Sequence, residues 1–107
     1  MGGYRLIGIN YEAINYAALD QALTTEKTCI VFGHLPISFY SDADQAALRQ
    51  RFQAHDVLLY VAGHTHYLDT LEVDPESGTL LLVGYSGSQG RYRVITLHGT
   101  NVEVTFH

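Results

Sequence analysis

Two short apolar runs, each closed by a Gly-His pair, constrain the fold of this chain more than any other feature. The first run is Thr28–Phe32, followed by Gly33-His34, and the second is Val57–Ala62, followed by Gly63-His64. Uninterrupted apolar runs of this length are typical of strands that are covered on both faces, as in a parallel sheet. We therefore expect two buried parallel strands that each end at a histidine.

Helical patterns separate and precede these strands. Ser41 or Asp42 can cap a helix that continues to about Ala54, which predicts a β-α-β unit with a right-handed crossover. Upstream, Tyr4–Ile9 has the pattern of a strand, and Ala13–Leu23 has apolar residues at helical spacing along one face. The first half of the chain is therefore expected to be α/β.

The second half has the pattern of antiparallel hairpins. Its alternating segments and the turn residues between them predict four strands, at Leu68–Val73, Thr79–Val83, Arg91–Leu97 and Val102–Phe106. We expect an antiparallel meander here. The whole chain, residues 1–107, is expected to form one α/β unit with a mixed sheet or two packed sheets and the helices outside.

Length and composition exclude several classes of protein. The 107 residues suit one domain, and with 47% apolar and 16% charged residues the chain is expected to fold. A net charge of −5 disfavours a broad surface for nucleic acid or for an anionic membrane. No apolar stretch is long enough to cross a bilayer, and the first residues do not resemble a signal peptide. The single cysteine, Cys29, excludes an internal disulfide, and these absences weakly favour the cytoplasm.

Three of the six histidines are expected to converge. If the two buried strands are parallel, His34 and His64 lie at the same sheet edge, outside the carboxyl ends where open α/β folds bind ligands. His66 follows two residues after His64 and shares its face on extended backbone. Three imidazoles from two loops suit a divalent transition metal.

Other side chains near this edge are candidates for supporting roles. Tyr40, Tyr67 and Tyr85 lie in loops, where they could contact a substrate or simply pack. Asp69 is a candidate acceptor for a ligand N–H, although a salt bridge or an exposed strand position is the alternative. Arg91 is a further candidate for substrate contact.

Two motifs resemble those of a known family. Val31-Phe32-Gly33-His34-Leu35-Pro36-Ile37 and Val61-Ala62-Gly63-His64-Thr65-His66 are similar to the last two motifs of the calcineurin-like metallophosphoesterases. Order, spacing and secondary-structure context agree, and the stretch Gly87–Tyr92 with the final hairpin resembles the closing strands of that family. The resemblance covers nearly the whole chain and implies part of a mixed α/β/β/α sandwich.

The resemblance also implies a metal-dependent phosphatase or phosphodiesterase. His34 and His64 would bind one metal of a two-metal centre, and His66 would bind the other. The ions would be Mn, Fe or Zn, and the reaction would use a metal-activated hydroxide to attack a phosphoester.

Three earlier motifs of the family, Asp-x-His, Gly-Asp-x-x-Asp and Gly-Asn-His, do not occur in this sequence. The chain therefore resembles the C-terminal portion of a metallophosphoesterase domain, with an incomplete site. The preceding N-terminal segment or a partner chain is expected to complete it, and the chain expressed alone is expected to form a homo-oligomer. The alternative is a non-catalytic metal-binding or interaction module derived from a phosphoesterase.

Overall fold

The computed structural model describes residues 3–10, 12–63, 70–83, 93–99 and 101–106 of the chain. These residues form seven strands, two α-helices and one 3₁₀ turn. In chain order they are β1 (Tyr4–Gly8), α1 (Tyr16–Leu23), β2 (Thr28–Gly33), the 3₁₀ turn (Ile37–Phe39), α2 (Asp42–Ala54), β3 (Leu59–Ala62), β4 (Thr70–Val73), β5 (Leu80–Val83), β6 (Arg93–His98) and β7 (Asn101–Phe106). Neither helix is long and apolar enough to span a membrane.

A five-stranded mixed sheet with the strand order β1-β2-β3-β5-β4 forms the centre of the fold. Strands β1, β2, β3 and β5 are parallel, and β4 is antiparallel to β5. Helix α1 connects β1 to β2, and helix α2 connects β2 to β3, so two β-α-β units lie side by side. A separate two-stranded antiparallel sheet contains β6 and β7. The predicted mixed α/β class is confirmed.

The two faces of the main sheet are covered by different layers. Val31 and Tyr60 belong to a core cluster that includes Leu48 and Phe52 of α2. Ile30 and its neighbours on the opposite face pack against apolar residues of the β6–β7 hairpin, namely Ile95, Leu97 and Val102. Because successive side chains of a strand point to opposite faces, a strand between two layers must be apolar throughout. This explains the uninterrupted apolar runs of β2 and β3.

The caps of both helices follow from local chemistry. The side chain of Ser41 accepts a hydrogen bond from the backbone N–H of Asp44 at 3.2 Å, as the sequence predicted for the start of α2. Helix α1 begins at Tyr16, three residues later than predicted, because Asn15 is its N-cap and accepts from the N–H of Ala18 at 3.1 Å.

The predicted β4–β5 hairpin forms, and one of its strands also joins the parallel part of the sheet, which the alternating pattern did not predict. Strand β5 also pairs in parallel with β3, with Leu59 opposite Leu80. The second half of the chain is therefore not a purely antiparallel meander. Three consecutive leucines, Leu80–Leu82, suit an interior strand that is covered on both faces.

Candidate functional site

His34 lies directly after the carboxyl end of β2, and its side chain is exposed. The neighbouring parallel strand β3 ends beside it, because Gly33 is paired with Ala62. Adjacent strands lie about 4.8 Å apart, so the loops that begin at His34 and at Gly63 leave the sheet side by side. This is the edge at which open α/β sheets bind ligands.

The other two predicted metal ligands, His64 and His66, lie outside the described residues, as do Tyr67, Asp69, Tyr85 and Arg91. Their convergence with His34 stays a prediction. Within the described part of the chain, no group of three His, Cys, Asp or Glu side chains is placed to hold a metal ion.

The backbone on both sides of His34 is held by tertiary contacts. Before it, Gly33 belongs to the paired part of β2. After it, the carbonyl oxygen of Leu35 accepts a hydrogen bond of 2.6 Å from the hydroxyl of Tyr60. Pro36 is buried and precedes the 3₁₀ turn, with its carbonyl accepting from the N–H of Phe39 at 2.9 Å. An exposed imidazole is therefore carried by a short loop that is fixed to the core.

Close packing explains the glycine before this histidine. A Cβ atom at Gly33 would lie 2.7 Å from the hydroxyl of Tyr60 and 3.0 Å from Cγ1 of Ile9. Real Cβ atoms almost never approach a neighbour so closely. At Gly63, the corresponding position after β3, no atom of the described residues lies within 4 Å of such a Cβ.

Tyr40 is buried, with 7% of its surface exposed, and its hydroxyl lies 3.4 Å from that of Tyr60. Burial raises the pKa of both phenols. Of the two roles that the sequence allowed for Tyr40, the geometry supports packing, because so little of the side chain is accessible to a substrate.

A cavity of about 210 Å³ lies at the same sheet edge, between the end of β1 and the start of α1. Its lining is mostly apolar and includes Ile9, Ile14 and Ala18, with Asn10 and Asn15 as its polar members. Ile9 is anchored to the end of β2 by a hydrogen bond from its N–H to the carbonyl of Phe32 at 3.0 Å. Three parallel strands therefore end around this edge.

Sequence reasoning missed Tyr60 as part of this edge. The available signal was a single polar side chain in the apolar segment Leu59–Ala62, since a buried hydroxyl must find a hydrogen-bond partner.

Comparisons with known proteins give a likeness of fold. No protein-family profile matches the chain, and no curated protein matches it. Among solved structures, it is similar to GAP50, the anchor in the inner membrane complex of Plasmodium, with a TM-score of 0.64 and 22% sequence identity. The likeness covers 79% of this chain and 33% of the GAP50 chain, so this chain spans about a third of that length. At this identity the likeness establishes a shared fold.

Proposed function

We propose that this chain is part of a metal-dependent phosphoester hydrolase of the metallophosphoesterase type. The observation that supports this most is the register of β2 and β3. The two strands are adjacent and parallel, and Gly33 pairs with Ala62, so that the His-x-Pro and Gly-His-x-His elements begin side by side at one sheet edge.

The donor chemistry of His34 fits such a site. Its imidazole is exposed on a loop that is fixed to the core, and a neutral imidazole suits borderline ions such as Zn, Fe and Mn. In the proposed arrangement His34 and His64 hold one ion and His66 holds the second. When bound, such ions supply a nucleophile from water at neutral pH and neutralise charge on the phosphoester.

Three imidazoles cannot hold two cations close together, because nothing then offsets the mutual repulsion of the ions. We therefore propose that a further polypeptide segment supplies the carboxylate and amide ligands. Strand β1 is at one edge of the sheet, and Leu6 on its surface is 68% exposed. Among the described residues no strand pairs with the outer side of β1, and such an edge beside apolar surface is a suitable place for a segment to add a strand. The GAP50 structure provides a precedent, since there the matched part makes up only 33% of a longer chain.

The substrate class follows from the proposed site and from the charge. Cations at the sheet edge would attract a phosphoester, while a net charge of −5 disfavours long nucleic acids. We propose a small phosphomonoester or phosphodiester as the substrate.

A non-catalytic binding module is the second candidate. The Plasmodium protein with this fold is an anchor, and so the fold can occur in a protein with an anchoring role. Such a module would retain the histidine loops without a complete centre.

Elemental analysis and hydrolysis of a chromogenic phosphodiester, each with and without added Mn²⁺ or Zn²⁺, test the proposal. We expect the 107-residue chain to bind at most one divalent ion and to hydrolyse the ester far below the rate of a complete enzyme.

His34→Ala and His64→Ala should each abolish metal binding, whereas His55→Ala, at an exposed histidine that ends α2, should not. Metal retained by His34→Ala would overturn the proposed site. Two ions and rapid turnover in the chain alone would overturn the need for a further segment.

The two candidate functions differ once a segment with the missing motifs is supplied. A hydrolase should then bind two ions and turn over substrate. A binding module should take up metal without hydrolysis.

A further inference from the structure

Tyr60 is a buried polar group whose hydrogen bond crosses from one strand to the loop of another. It lies in β3 on the helix-facing side of the sheet, and only 1% of its surface is exposed. Its hydroxyl donates to the carbonyl oxygen of Leu35 at 2.6 Å, although the two residues are 25 positions apart in the chain. A buried hydroxyl without a partner is strongly unfavourable, so this bond fixes the position of the Leu35 carbonyl.

The position of the Tyr60 hydroxyl depends on the absence of a side chain at Gly33. A side chain at Gly33 would place its Cβ 2.7 Å from the Tyr60 oxygen, so the phenol occupies the space that the glycine leaves open. Gly33 and Tyr60 both act on the backbone next to His34. Gly33 holds the backbone before His34 through its pairing in β2, and Tyr60 holds the backbone after it through Leu35.

We propose that Tyr60 is a positioning residue for His34: its hydroxyl, which passes over Gly33 to the carbonyl of Leu35, fixes the loop that presents the imidazole to a divalent metal ion. This inference rests on the proposed function. Metal ligands must be held within about 0.5 Å of their productive geometry, and supporting groups around a site typically change metal affinity about 10–100-fold. Tyr60 acts through the backbone and does not itself bind the ion.

Titration with Co²⁺ tests this proposal, because its visible absorption reports both affinity and coordination geometry. Tyr60→Phe removes only the hydroxyl, and we expect a Kd for Co²⁺ about 10–100-fold higher, with an altered spectrum. Tyr40→Phe is the matched control. It removes the neighbouring buried hydroxyl, which contacts Tyr60 at 3.4 Å and makes no bond to Leu35. Its affinity and spectrum should be those of the wild-type protein.

A second variant reaches the same contact while leaving Tyr60 in place, and it serves if Tyr60→Phe does not fold. Gly33→Ala forces the phenol away from Leu35, because its Cβ would lie 2.7 Å from the Tyr60 oxygen. We expect Gly33→Ala to weaken Co²⁺ binding, as Tyr60→Phe does and Tyr40→Phe does not. Backbone amide NMR shifts of His34 and Leu35, measured without metal, should move in Tyr60→Phe and Gly33→Ala and not in Tyr40→Phe.

The outcomes separate the two proposals. If wild-type protein binds no Co²⁺, or binds it equally after His34→Ala, the proposed function fails and the positioning role fails with it. If wild-type binding requires His34 but Tyr60→Phe and Gly33→Ala bind with unchanged affinity and spectrum, only the positioning role is overturned.

Discussion

Buried polar side chains connect segments of this fold that are distant in sequence. The hydroxyl of Thr79, which is fully buried, donates to the carbonyl of Val57 at 2.8 Å and joins the start of β5 to the segment before β3. Tyr60 connects β3 to the loop of His34 in the same manner. Each bond satisfies a group whose burial would otherwise be unfavourable. At the scale of single residues, such bonds position the loops.

Asp56 has a left-handed backbone conformation, which glycine adopts without the steric cost that a side chain brings. It follows the C-cap of α2 with φ = +51°, in the left-handed region, and its negative charge lies near the negative end of the helix dipole. Asp56→Gly should therefore raise the free energy of unfolding by about 0.5–1 kcal/mol, and Asp56→Asn should give part of this gain by removing the charge. Urea unfolding measures both. Gln53→Gly, inside the same helix, should instead destabilise, and a loss of stability in Asp56→Gly would contradict the argument.

Tyrosine ionisation should limit stability at high pH. Burial, together with a hydrogen bond to Asp44, raises the pKa of Tyr16 from 10.0 to about 12. The folded state therefore keeps a proton that the unfolded state releases first, so this contribution is complete below pH 10 and is lost as the pH rises through 10 to 12. We expect tyrosinate absorbance and loss of circular dichroism to rise together in that range. Tyr16→Phe should reduce the loss of stability between pH 10 and 12. If all the tyrosines ionise before the circular dichroism changes, the proposed link between Tyr16 ionisation and unfolding is contradicted.

The position of His34 at the end of a strand could be predicted from the sequence, whereas the hydrogen bond from Tyr60 to Leu35 could not. A Gly-His pair after an apolar run places the histidine at a strand end regardless of tertiary detail. The partner of Tyr60 depends on how β3 lies beside β2 and on the space above Gly33, both of which are set by packing.

At the scale of elements, two arginines hold helix α2 in place. Arg51 pairs with Asp20 of α1 at 2.7 Å and lies over the ring of Tyr16 at 4.5 Å. Arg49 pairs with Asp74 at the start of the β4–β5 turn at 3.2 Å. The helix is thereby tied both to its neighbouring helix and to the far edge of the sheet.

The Arg49–Asp74 pair should matter more than the adjacent exposed pair. Asp74 is 1% exposed and also accepts from the N–H of Ser77 at 3.2 Å, whereas Glu76, which lies 3.3 Å from the same arginine, is exposed. Asp74→Asn should lower the free energy of unfolding by about 3 kcal/mol, because it leaves a partly buried guanidinium without its main partner. Glu76→Gln should cost less than about 0.5 kcal/mol. Equal effects of the two substitutions in urea unfolding would show that burial of the pair does not matter.

Strands and helices were largely predictable, but one strand pairing was not. The turn Asp74–Gly78 predicts that β4 and β5 pair with each other. It does not determine which of the two then joins β3. That choice follows from burial, because Leu80–Leu82 can be covered on both faces, whereas β4 includes Glu72 and lies at the sheet edge.

For the molecule as a whole, the main sheet is wider than the hairpin that covers one of its faces. At about 4.8 Å per strand, the two strands of the hairpin span less width than the five strands of the sheet, in the part of the chain that the structure describes. Leu6 in the edge strand β1 is 68% exposed, and Val73 in the opposite edge strand β4 is 59% exposed. Both lie on the face that the hairpin covers, because Leu6 pairs in register with Ile30 and Val73 with Leu80, which belong to the cluster on that face. Phe32, on the same face, is 48% exposed. Apolar surface beside an edge strand commonly marks an interaction site.

The edge strand β1 with its exposed Leu6, here called the β1 flank, should drive association of the chain when no further segment covers it. Sedimentation velocity should show oligomers that increase with protein concentration, and Leu6→Lys should shift the chain toward monomer, because a charge on this surface opposes both strand addition and apolar contact. The stability of Leu6→Lys should change by less than about 0.5 kcal/mol, since the side chain is already exposed. Ala17→Lys adds the same charge to the exposed surface of α1 and should leave association unchanged. If the wild-type chain is a monomer at high concentration, or if both lysine variants dissociate it equally, the β1 flank is not the surface at which a partner segment docks.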